Sequence, residues 1–115
     1  MMHLWRSIQQ ELHHTGASEW PIVPATIDVV TVIRQEEQKG HQEIVSYLAT
    51  LTYFYRNPDL QSGDFRRVFE EWEESAAQQW SASWKGRTVH VHVDPRDPAN
   101  SVLLEEDLLN GPTAD

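Results

Sequence analysis

Apolar residues recur along this chain with two periods, and the points where one period gives way to the other mark its elements. Leu4, Ile8 and Leu12, with Trp5 beside them, fall at helical spacing while Gln9, Gln10 and Glu11 fill the opposite side. "TGAS" then breaks the pattern, so a short amphipathic N-terminal helix and turn is predicted over 1–16. Its apolar stripe suits a membrane or a partner, and most economically the chain's own sheet. Between Ile22 and Ile33 the residues are densely β-branched, which predicts a strand. Because proline cannot donate to a ladder, the strand is expected to start after Pro24. The polar "QEEQKGHQE" reads as a hairpin loop. "IVSYLATLTYFYRN" places Val45, Tyr47, Ala49, Leu51, Tyr53 and Tyr55 on one face and Ile44, Leu48, Thr50, Thr52 and Phe54 on the other. Two largely apolar faces suggest a central strand covered on both sides.

Further on, "NPDLQSGD" reads as a turn and "FRRVFEEW" as a third strand. The period then lengthens. Trp72, Ala76, Trp80 and Trp84 are spaced by four, glutamates crowd the start where the helix dipole favours anions, and Lys85 and Gly86 supply stop signals. A helix is predicted over about 73–84. Val89, Val91 and Val93 alternate with Thr88, His90 and His92 in a half-buried strand. "DPRDPAN" is a turn, "SVLLEE" a short final strand, and 105–115 is expected to be a frayed tail. These elements predict a single domain over 1–115 of α+β, β-rich class. Its expected form is an antiparallel, strongly curved sheet or small incomplete barrel of about five strands, with one covering helix and the short N-terminal helix.

Composition narrows the functions such a domain can have. At 115 residues one modest core is attainable. The absence of cysteine removes disulfides, iron–sulfur clusters, thiol catalysis and cysteine-ligated zinc together. A formal net charge of −9, with the few basic residues interspersed among carboxylates, disfavours nucleic acid and anionic membrane surfaces as partners. No apolar run approaches the ~20 residues needed to cross a bilayer. "MMHLWRSIQQELHH" lacks the form of a signal peptide, so a soluble chain is expected.

Candidate chemistry is sparse. His90 and His92 share one strand row with Asp94 close by, and same-face imidazoles roughly 7 Å apart along a strand can converge on zinc. A catalytic site would still need a third ligand, recruited from Asp94, His41 or another carboxylate. Exposed strand histidines are the more economical reading, and no resident cofactor or metal is expected. His13 and His14 diverge on a helix. Glu70, Glu71, Glu73 and Glu74 read as a solvated helix start rather than an acid/base pair, and Ser81 and Ser83 lack a nucleophile motif. No motif compels catalysis. Trp72, Trp80 and Trp84 form an aromatic helical side that is more economically core, and any of them left exposed, or Trp5, becomes a candidate partner anchor. Asp94 can cap a turn through its side chain while Pro95 fixes φ on the way to the last strand.

Taken in order, these elements resemble an uncharacterised bacterial family, the domain of unknown function 3592. The resemblance runs from about Trp20 to Leu104 and rests on "EWPIVPATI", "YLATLTYFY", "SGDFRR" and, most specifically, "KGRTVHVHVDPRDPANSVLL". It implies a small β-rich domain, often attached to membrane helices, with no established activity or catalytic residues. Val89, Val91, Val93, Asp94, Pro95 and Pro98 match the family pattern, whereas the two histidines fall at its variable outward positions. This chain departs from the family in lacking membrane helices, so membrane association rests on family analogy alone. The expectation is therefore a non-catalytic protein-interaction module with an unidentified protein partner, its edge strands also compatible with a homodimer. The alternatives are a metal-dependent hydrolase or metal-binding protein using His90 and His92, and a small-ligand binding barrel requiring a polar-lined cavity.

Overall fold

The computed structural model describes residues 16–108. The β-branched run folds as strand β1 (Ile22–Lys39), followed by β2 (Gln42–Arg56), β3 (Leu60–Glu70), helix α1 (Glu74–Trp84), β4 (Thr88–Val93) and β5 (Ser101–Val102). Short 3-10 turns occupy Glu71–Glu73 and Glu105–Leu108. All pairings are antiparallel, in the order β3-β2-β1-β4-β5. The sheet curls into a nearly closed barrel, and a 14-residue helical stretch lies against it, so the mostly β class and the curved five-stranded sheet are as expected. The expected N-terminal helix over 1–16, with Trp5, and the tail beyond 108 lie outside the described residues, apart from Gly16.

The final strand, expected over "SVLLEE", is only Ser101–Val102, since Glu105–Leu108 turn into a 3-10 helix. Three further boundaries differ from expectation, each for a physical reason. β1 starts at Ile22 and includes Pro24, which sits opposite His90. Val93 donates to the carbonyl of Pro21 at 2.9 Å and Ile27 to that of Arg87 at 2.9 Å, so odd-numbered residues turn their backbone groups toward β4. The nitrogen of Pro24 points the other way, past the last β1–β2 pair, Thr26 with Phe54, where no ladder bond is lost. Second, "QEEQK" is strand. The β1–β2 register continues to Lys39 opposite Gln42, leaving only Gly40 and His41 as the turn. Gly40 takes φ +62 at the first central position, as a II′ turn requires. Third, β3 begins at Leu60 and carries Gly63 within it, opposite Tyr53. A Cβ on Gly63 would lie 2.4 Å from the Tyr53 hydroxyl and 2.9 Å from Ser101 Oγ, so this glycine permits a close approach rather than a turn.

A register shift between Ile27 and Val29 leaves Asp28 as a bulge. The inward parity of β1 therefore switches: Ala25 and Ile27 are buried before the bulge, and Val30 and Val32 pack on the core after it. β2 alternates without interruption, and Val45, Tyr47, Ala49, Leu51, Tyr53 and Tyr55 are all buried. Its other face corrects the expectation of a strand covered on both sides. Leu48, Thr50, Thr52 and Phe54 are only half-buried and Ile44 is exposed, because α1 lies on one side of the sheet alone.

The inner tyrosines of β2 hold the barrel together at three points. Tyr47 donates to Glu74 of α1 at 3.3 Å, Tyr55 to the carbonyl of Pro98 at 2.7 Å, and the Tyr53 hydroxyl meets Ser101 Oγ at 2.8 Å. Tyr53 thereby reaches over Gly63 of β3 to β5 and joins the two edges of the curled sheet. Burial pushes the Tyr53 hydroxyl pKa up to about 12.

Candidate interaction surface

The four tryptophans among the described residues have different fates, and helix geometry explains why. Successive positions spaced by four advance ~400°, so a stripe spaced by four drifts about 40° at each step around a helix of 3.6 residues per turn. The 72–76–80–84 series cannot all face the sheet. Trp84 is buried with Ala77 and Ser81, Trp80 is half-buried between Phe65 and Phe69, and Ala76 turns outward. Arg67 lies over the Trp80 ring at 5.3 Å, extending that cluster with a cation–π contact. Trp84 and Trp80 are therefore core residues, and the expectation of one aromatic helical side including Trp72 does not hold. Trp20, ahead of β1, is half-buried.

Trp72 instead occupies the 3-10 turn between β3 and α1, with 79% of its surface exposed. The turn is fixed by a reciprocal capping box. The backbone N–H of Glu70 donates to Glu73 Oε1 at 2.8 Å, and the Glu70 side chain accepts from the backbone of Glu73. The residues flanking the ring are thus locked while the indole points to solvent. Val68, 64% exposed, lies four residues earlier on the outer face of β3. Through the ladder it aligns with Leu48 and Ile33, making one apolar row across three strands. Ile44, also exposed, stands two residues beyond Ser46, the partner of Glu70. Glu70, Glu71, Glu73 and Glu74 surround this end with negative charge.

The histidine row is divided by the chain that follows it. His90 is exposed opposite Pro24, whereas His92, expected to be exposed, is only 5% accessible. Residues 105–108, expected to fray, form the 3-10 turn that covers it. Asp107 Oδ2 accepts from the backbone N–H of Leu104 at 3.0 Å and lies 3.4 Å from His92 Nε2, while His92 Nδ1 is buried without a hydrogen-bond partner. Among the described residues no group of three His, Asp or Glu side chains is placed to hold a metal ion. No described helix is long and apolar enough to cross a membrane.

The turn after β4 is built by Asp94. Its Oδ1 accepts from Arg96 N–H at 2.8 Å and its Oδ2 from Asn100 Nδ2 at 3.4 Å, while its own N–H donates to the carbonyl of Asn100 at 2.9 Å. Pro95 follows Asp94 directly, and Pro98 presents the carbonyl that receives Tyr55. A family model described as domain of unknown function (DUF3592) matches residues 23–107, from the start of β1 to the turn that covers His92. The chain belongs to this family. No curated protein and no solved structure matches it.

Within the DUF3592 domain, residue patterns concealed two features. Nothing in "SGDFRR" distinguishes a glycine beneath a tyrosine from a turn glycine. The outer apolar row was concealed because Ile33, Leu48 and Val68 are distant in sequence and meet only through register. One signal was legible: Val68 is a lone aliphatic residue between arginines and "FEE", at the parity opposite to Phe65 and Phe69.

Proposed function

We propose that this domain is a non-catalytic protein-interaction module whose partner docks on Trp72. The observation that carries the reading is a nearly fully exposed indole on a turn made rigid by its own capping box. Large aromatic side chains held in place before binding contribute disproportionately to interfaces, because little freedom is lost when they are covered. Val68 and Ile44 extend the apolar contact, and the surrounding glutamates select a partner whose apolar pocket is rimmed by lysine or arginine. The test is affinity capture with the wild-type chain and Trp72→Ala, using His90→Ala as an exposed control. The reading requires a protein retained by the wild type and the control and lost with Trp72→Ala, with retention weakened at high salt. Equal retention by all three chains would overturn it.

A further inference from the structure

A second apolar region lies at the opposite end of the outer face from Trp72. Thr26, Asp28, Phe54 and Leu60 line a shallow groove of about 380 Å3 beside the bulge. Leu60 and Ile22 stand 57% and 59% exposed at this end of the sheet. Its walls are Phe54 and Leu60, and its acidic rim is Asp28.

We propose that this groove is the docking site for the chain's own N-terminal segment, residues 4–12, through the stripe Leu4, Trp5, Ile8 and Leu12. Position is the first argument. Glu19 and Trp20 donate to the carbonyls of Gly16 and Ala17 at 3.1 and 3.0 Å, so the chain turns just before β1, whose first residues lie at the end of the sheet that carries the groove. The groove residues of β1 lie four to six positions past Ile22, or ~13–20 Å at strand rise, and a nine-residue helical stripe spans ~12 Å. Fifteen residues precede Gly16, enough to lay the stripe across Phe54 and Leu60.

Charge is the second argument. Residues 1–15 hold one arginine and one glutamate, so with neutral histidines they bring no net side-chain charge to an acidic domain. A second copy of the chain would bring −9 against −9. Arg6 also suits the Asp28 rim.

The absence of cysteine permits a direct test on the full chain. A spin label is attached at Gln9→Cys, on the polar side of the stripe, and the loss of amide signal intensity is mapped. The proposal requires strong losses at Thr26, Asp28, Phe54 and Leu60 that do not change when labelled chain is diluted with unlabelled chain. It also requires those losses to vanish when Leu4→Glu and Ile8→Glu are added, with the rest of the spectrum unchanged. Losses centred on Ile33, Leu48 and Val68, losses that fall on dilution, or no localised loss would each overturn it, the second by assigning the groove to another copy.

Discussion

At the scale of single residues, Gly63, Tyr53 and Asp94 hold the barrel's seam and its last turn. Gly63→Ala places a methyl group within 2.6 Å of the Tyr53 ring, so ring or strand must move. A loss of about 1–3 kcal/mol is expected in chemical denaturation, as for other overpacked sites. Tyr53 makes an alkaline prediction. The unfolded tyrosine ionises near its ordinary value of 10, while the buried one keeps its proton to about 12. Below pH 10 both states are neutral and this contribution is whole. Between those values the folded state holds more protons, so stability falls as pH rises, by roughly 2 kcal/mol across the window. Tyr53→Phe should remove that part of the slope, and an identical alkaline profile in the variant would show that Tyr53 does not cause it. Asp94→Ala removes the acceptor for Arg96 and Asn100, and a loss of about 1–2 kcal/mol should appear as a lower melting midpoint.

At the scale of elements, hydrophobic period fixed the number and order of strands and the span of α1, because each depends on local alternation. What escaped it depends on neighbours distant in sequence. The legality of Pro24 depends on where β2 stops, and the burial of His92 on a later turn folding back. The Asp28 bulge falls just past Thr26, the last β1 residue paired with β4, a position that only the distant strand defines. Polarity also misled at "QEEQK", where a two-stranded extension outside the core needs no apolar face. For α1 the drift of a four-residue repeat yields a paired prediction. Trp84→Ala empties a core site and should cost about 3–5 kcal/mol, whereas Trp72→Ala should change stability by less than ~0.5 kcal/mol. Comparable losses from the two substitutions, measured by urea denaturation, would contradict the assignment of one to the core and the other to the surface.

At the scale of the whole molecule, the barrel is asymmetric. Its inner face is filled by the β2 tyrosines, Trp80 and Trp84, while its outer face exposes an apolar row at one end and a groove at the other. Membership of the DUF3592 family brings no activity with it. The functional reading therefore rests on the surface of this chain. Its central claim is that Trp72 is a partner anchor. The most direct measurement places a photo-crosslinking p-benzoylphenylalanine at position 72 in the native cell, with the same group at position 90 as control. The account predicts one protein joined at position 72 and absent from the control. Crosslinking only to bulk proteins, or equally from both positions, would contradict it.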